Sequence, residues 1–412
     1  MSSKANYFQL SLYAVLFVLC AMCFSSCNEQ SKKKITSSST TLTLALRSGL
    51  YAEVIKSCLS DFEIENNIMC NVLEFSEDEL HREVVANNGN IDFCMADSSW
   101  MAEFLAKDVL ANLSDFGYEL DDDIIAATKT ICYHNGDVYV APYYGNVTVL
   151  LFNRLMLKEA GYKPTDIISV EDMLRICRVA KKRHNLGFMY RGDTANNIVV
   201  DFLPILCSFG TWVVDERNQP TIDTPSFKKA VEVYAELIST GRQAKKDDLV
   251  AAIANKAAAM GIGWPGWYTP TKNSMMDYIA FSGKRAKKAI PYNSNIYGIW
   301  TIGVCKESRK KELAVKLLAH LMDKDVQKAT VAKGGVPCRY SSLNDEAVQA
   351  KFPQYKVVLK ALEGGVYRPV MQEWSEFYTI LGRHLKSIFD GETSIDTALR
   401  EAQIELERLM KN

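Results

Sequence analysis

The chain has almost no net charge: 48 Lys and Arg against 49 Asp and Glu leave -1. No global field therefore draws it to nucleic acid, and the basic runs Lys181-Lys182-Arg183 and Lys284-Arg285 are short enough to be solvated faces. Histidine is scarce. The five, at positions 81, 134, 184, 320 and 384, form no H-E-x-x-H pair, and neither a G-x-S-x-G elbow nor a Walker-type loop occurs. Nothing announces a catalytic centre. Eight cysteines follow Cys27, at 58, 70, 94, 132, 177, 207, 305 and 338, with no C-x-x-C and no paired spacing. That spacing argues against zinc, and Cys94 and Cys177 sit in apolar patterns as small core residues do. No metal and no cofactor is expected. The literal G-x-G-x-x-G match at Gly261-Ile262-Gly263-Trp264-Pro265-Gly266 fails on context, because Pro265, Gly266 and Pro270 interrupt the helix that would have to present amides to a pyrophosphate.

Long apolar runs are also missing, with one exception at the N-terminus. Lys4 precedes an apolar stretch over residues 10 to 24 that ends in Phe24-Ser25-Ser26-Cys27. The stretch is shorter than the roughly 20 residues a spanning helix needs, so it reads as an export signal. Phe24-Ser25-Ser26-Cys27 resembles the bacterial lipobox, which implies lipidation of Cys27. Residues 1–26 would then be a signal peptide and 27–41, polar and rich in Ser and Lys, a flexible lipid-anchored tether. The expected location is the cell envelope, with membrane contact through the lipid alone. The sequons Asn112-Leu113-Ser114 and Asn146-Val147-Thr148 are coincidences in such a chain.

What is present is ordinary globular material, 48% hydrophobic and 24% charged, long enough for two cores. Residues 42–46 form an apolar run, followed by Arg47-Ser48-Gly49 and a helical pattern through Ile55, Leu59 and Phe62. The theme repeats with Asn71-Val72-Leu73-Glu74-Phe75 and with Ile91-Asp92-Phe93-Cys94-Met95 before Ala96-Asp97-Ser98-Ser99-Trp100. This β-α alternation predicts mainly parallel sheets flanked by helices, with ligand beyond the carboxyl ends of the strands. Ser169 with Asp172 predicts a capping box, and Thr224-Pro225 another helix start. All six tryptophans, Trp100, Trp212, Trp264, Trp267, Trp300 and Trp374, fall at predicted loops or strand ends, near Tyr143, Tyr144, Tyr268, Tyr297, Asn146, Asn293 and Asn295. Rings and amides concentrated in loops suit a cleft in which a sugar's C–H face packs on π faces and its hydroxyls find polar partners.

Three segments resemble the family 1 extracellular solute-binding proteins of ABC importers. They are Asp137-Val138-Tyr139-Val140-Ala141-Pro142-Tyr143-Tyr144-Gly145-Asn146 with its continuation to Pro164, the stretch Lys256-Ala257-Ala258-Ala259-Met260-Gly261-Ile262-Gly263-Trp264-Pro265-Gly266-Trp267, and Gly335-Val336-Pro337-Cys338-Arg339 followed by Arg368-Pro369 and Glu373-Trp374-Ser375-Glu376. The resemblance implies an α/β, two-lobed periplasmic-binding-protein-like fold of type II, with residues 42–147 plus 299–325 in the first lobe and 148–298 plus 326–412 in the second. It further implies that Ser48, Glu74, Asp97 and Trp100 line the cleft from the first lobe and that residues 143–146, including Tyr143, Tyr144 and Asn146, sit at the hinge. Arg191, Trp212, Trp264, Trp267, Trp300 and Tyr378 complete the expected site, with Asp97 and Glu74 accepting hydroxyl hydrogen bonds, Arg191 donating and a tryptophan stacking. The implied mechanism is hinge closure on a mono- or oligosaccharide by a monomer that docks on an ABC permease and is no enzyme. Two alternatives use the same features: a secreted carbohydrate-active enzyme with a carboxylate pair such as Asp97 and Glu373, and a lipoprotein that senses its ligand without transporting it.

Overall fold

The computed structural model describes residues 40–271, 273–281 and 294–411. Cys27, the leader, the tether, Lys284-Arg285 and Asn293 lie outside the described residues.

The strands that build the two sheets are β1 (Thr40–Arg47), β2 (Ile68–Phe75), β3 (Phe93–Asp97), β4 (Val140–Tyr144), β5 (Val149–Asn153), β6 (Phe188–Tyr190), β7 (Arg242–Gln243), β8 (Met260–Gly263), β9 (Met276–Ile279) and β10 (Trp300–Val304). The first sheet has the order β2-β1-β3-β10-β4 and the second β9-β5-β8-β6-β7. The sheets are more mixed than the β-α alternation predicts. β1 runs parallel to β2 and β3, but β10 is antiparallel to β3 and β4. In the second sheet β8 and β7 run parallel to β6, while β5 is antiparallel to β8 and β9. The reason for the first sheet lies in chain routing: β10 returns from the other lobe, so it enters from the cleft end.

Helices cover the sheets: α1 (Leu50–Lys56), α2 (Glu77–Val85), α3 (Val170–His184), α4 (Ala195–Ser208), α5 (Pro225–Ser239), α6 (Lys311–Leu321), α7 (Trp374–Phe389) and α8 (Ile395–Leu409). Their starts follow the predicted chemistry. Ser169 and Asp172 form a reciprocal capping box on α3, and Thr224 caps α5 with Pro225 in its first turn. All five residues of β3 are buried, as expected of a strand covered on both faces.

The chain crosses between lobes three times, near residues 145–148, 294–299 and 364–370, and the crossings are stitched together. Thr148 N donates to Ile296 O at 2.9 Å, Gly298 N to Asn146 O at 3.0 Å, Tyr297 N to Val366 O at 2.9 Å and Val366 N to Asn295 O at 2.8 Å. This ladder is the hinge.

One boundary differs from the expectation. The stretch from 326 to 363 packs on the first lobe rather than the second: Ile125 N donates to Cys338 O at 2.9 Å, and Arg339 reaches Asp121 and Asp123 at 2.9 and 3.2 Å. Val331, Val336, Leu343, Val358 and Leu362 join the core that holds β1 and β3. Short amphipathic helices carry an apolar stripe but no sign of which sheet it covers, so sequence places the helix and not its host.

Candidate functional site

The strand ends of both lobes open on one cleft of about 870 Å³. From the first lobe β1 delivers Arg47 and Ser48, after which Gly49, at φ 80°, turns the chain into α1 and places Tyr51 over the cleft. β2 is followed by Ser76, Glu77 and Asp78, and β3 ends at Asp97. β10 runs the other way, so its first residue, Trp300, faces the same space. Opposite, β6 leads to Arg191 and Asp193, β8 to Trp264 and Trp267, α4 presents Asn196 and Asn197, and α7 presents Tyr378.

An aromatic floor lies under the cleft. The rings of Tyr51 and Tyr144 meet at 4.8 Å and 66°, Tyr51 sits 5.4 Å from Trp300, and Trp300 meets Trp100 edge-on at 5.4 Å and 88°. These offset and edge-to-face contacts fix the rings before any ligand arrives. Asn146, at the first crossing, donates through Nδ2 to Tyr51 Oη at 3.0 Å, while its Oδ1 is buried with no hydrogen-bond partner.

Two buried ion pairs hold charge at the cleft, Asp97 with Arg368 and Asp201 with Arg191. Asp97 and Arg368, each 5% exposed, form an ion pair through Oδ1 and Nη2, and the same Oδ1 accepts from Ser99 N and Oγ at 2.8 Å. Those bonds leave Oδ2 of Asp97 for another donor, and Arg368 Nε is buried with no partner. Glu77 Oε1 accepts from Asn196 Nδ2 at 3.1 Å, a bond that spans the two lobes. Burial, and then the nearby Asp97 charge, push the Glu77 pKa up, with Arg368 and Arg47 opposing. The fold thus holds this proton more tightly than the unfolded chain does. The stability it contributes is complete below about pH 4.3 and is lost as pH rises through the folded-state pKa. Glu77→Gln, which keeps an acceptor for Asn196, is expected to flatten the pH profile of the melting temperature above that point and to raise it at neutral pH. Calorimetric scans of the ligand-free protein across pH check this.

Nine of the expected site residues line the cleft: Ser48, Asp97, Tyr144, Asn146, Arg191, Trp264, Trp267, Trp300 and Tyr378. Four do not. Glu74 turns from it to pair with Lys56 at 2.6 Å on the surface. Trp100 is buried behind Trp300, against His81 and Phe104. Tyr143 alternates to the opposite face of β4 from Tyr144, and Trp212 packs on the second core, its carbonyl accepting from Thr221 Oγ1 at 2.6 Å. Arg191 is held by Asp201 and Asn197 through one proton each on Nε, Nη2 and Nη1, which leaves a second N–H on each of Nη1 and Nη2 for the donor role expected of it. Reasoning from sequence missed Arg47, Tyr51, Glu77, Asn196 and Arg368. The signal for Glu77 was the polar turn after β2; Tyr51 and Asn196 sit in helices whose patterns say nothing about a cleft.

The carboxylates Asp97 and Glu373 do not share a cavity, because Glu373 lines a separate groove with Met101, Tyr133 and Val370. Among the described residues no cluster of His, Cys, Asp and Glu is placed to hold a metal ion, and no helix is long and apolar enough to cross a membrane.

The geometry has close counterparts. The maltose-bound MalE3 of T. maritima superposes with a TM-score of 0.78 at 22% identity, covering 90% of this chain and 100% of that one. An ABC transporter solute-binding protein of Agrobacterium radiobacter in complex with ribitol gives 0.78 at 23% identity, covering 90% and 98%. Among curated relatives, a "Probable amino-acid ABC transporter periplasmic-binding protein" of Sinorhizobium fredii is 23% identical over 347 residues, 79% of each chain. The arabinooligosaccharide-binding protein of Bacillus subtilis is 22% identical over 330 residues, 74% of each. The fold is the two-lobed one of maltose-binding proteins, and residues 58–354 match the model of a family of extracytoplasmic binding proteins rather than enzymes. By that match, over most of its length, the chain belongs to the bacterial extracellular solute-binding protein family.

Proposed function

We propose that this protein captures a neutral sugar or polyol in the interlobe cleft, closes on it about the three-strand hinge, and presents it to the permease of an ABC importer, held at the membrane by a lipid on Cys27. The observation that carries the reading is the pair of buried, unpartnered atoms on the cleft wall, Asn146 Oδ1 and Arg368 Nε. Buried polar groups are rarely left unpaired. An acceptor and a donor awaiting partners beside Trp300 and Tyr144 match a hydroxylated ligand, whose O–H groups serve as both. Ser48, Asp97 Oδ2 and Tyr378 add further polar contacts, and Trp264 and Trp267 supply apolar walls. The solved relatives that hold maltose and ribitol support this chemistry. Closure by the monomer makes and breaks no bond, so the reading is of a binding protein and not an enzyme.

The test is a thermal-shift screen of the soluble chain lacking its first 27 residues against monosaccharides, oligosaccharides, polyols and amino acids, followed by calorimetry. A native-state binder raises the melting temperature by mass action. One sugar or polyol is expected to bind and to be recovered intact, with affinity about fivefold lower or worse in Trp267→Ala, the scale of one lost aromatic contact. A hit confined to amino acids, or recovery of a cleaved sugar, would sink the proposal.

A further inference from the structure

Asp201 is hard to explain by stability. It is fully buried, in the apolar stretch Ile198-Val199-Val200-Asp201-Phe202-Leu203 of α4, where burial pushes its pKa up even against the opposing Arg191 charge. A buried ion pair of this kind is seldom more stable than a well-packed apolar pair, which directs attention to what the pair holds in place. Asp201 Oδ2 accepts from the backbone N of Arg191 at 3.0 Å and Oδ1 accepts from Nε at 3.1 Å and from Nη2, while Nη1 donates to Asn197 Oδ1 at 2.7 Å. A guanidinium gripped along its fork cannot rotate. Its Cζ lies 5.0 Å from the centre of the Trp267 ring. That ring also rests on bare backbone: a Cβ on Gly263 would come within 2.8 Å of Trp267 Cε3. Trp267 is thus held between the cation and the glycine, with its remaining surface in the cleft.

We infer that Asp201 and Arg191 are positioning residues that orient Trp267 as the ligand-packing wall of the second lobe, Asp201 doing so without touching the ligand. This deepens the sugar-binding reading and rests on it for the affinity part of its test. A wall fixed in advance spares the ligand the cost of ordering it.

The experiment uses Asp201→Asn, which keeps the shape and loses the charge, with Arg191→Lys as a second variant that keeps the charge and loses the planar fork. The first readout needs no ligand. The Trp267 contribution to fluorescence, isolated by subtracting the same protein carrying Trp267→Phe, is expected to shift in either variant. The second is the affinity of whichever sugar in the screen binds the wild type, expected to fall about fivefold in Asp201→Asn and to be unaffected by that change in a Trp267→Ala background. An unchanged Trp267 spectrum, or an equal loss of affinity with and without Trp267, would overturn the inference. If no sugar binds the wild type, the sugar reading fails, and the spectrum alone decides whether the pair positions the ring.

Discussion

Arg368→Met is expected to lower stability by about 3–5 kcal/mol, because it leaves Asp97 buried without its counter-charge. Both groups are 5% exposed, so solvent does little to screen the loss. The two hydrogen bonds from Ser99 stay in place and hold the carboxylate in the fold rather than releasing it to water. Urea unfolding of the ligand-free protein measures the cost. The double variant Asp97→Asn with Arg368→Met is expected to recover most of it, since no charge is then stranded. It should not recover binding, because the unpartnered Nε donor is gone as well. A single Arg368→Met change that costs under about 1 kcal/mol, the level of an exposed pair, would show that water reaches Asp97.

Gly365→Ala is the second large effect, about 2–3 kcal/mol from overpacking. An added Cβ would stand 2.2 Å from Cε1 of Tyr297, a ring that is 1% exposed and has nowhere to go. Tyr297 is itself tied at both ends. Its hydroxyl donates to Leu362 O and accepts from Gly365 N at 3.1 Å, and its backbone pairs with Val366. The substitution therefore pries the second crossing from the third. Beyond the lower melting temperature, it should change the closing rate seen by stopped-flow fluorescence, whereas an equally destabilising change in either core should not.

Sequence carried the fold well where a local rule decides the outcome. Ser169 with Asp172 and Thr224 with Pro225 started helices because capping is settled within four residues. The cleft was legible at the strand ends, since β-α turns collect there whatever the rest of the chain does: Ser48, Asp97, Trp264 and Trp267 all follow from that rule. It failed where one residue's direction mattered. Tyr143 and Tyr144 are neighbours of the same type, and only the register of β4 decides which ring sees the cleft. Glu74 lies at the right strand end, but Lys56, 18 positions away, captured it. The long-range partners of Arg368 and Asp201 are set by packing between elements far apart in sequence, about which local pattern is silent.

The routing of β10 has a consequence for how the chain is made. β10 lies between β3 and β4, so the first sheet is split until residues 300–304 exist, and segment 326–363 covers it later still. Everything from β5 to β9 must therefore be synthesised before the first-begun lobe can be finished. A polypeptide that cannot complete a lobe early stays threadable for longer, which is the state that export under the proposed function would call for.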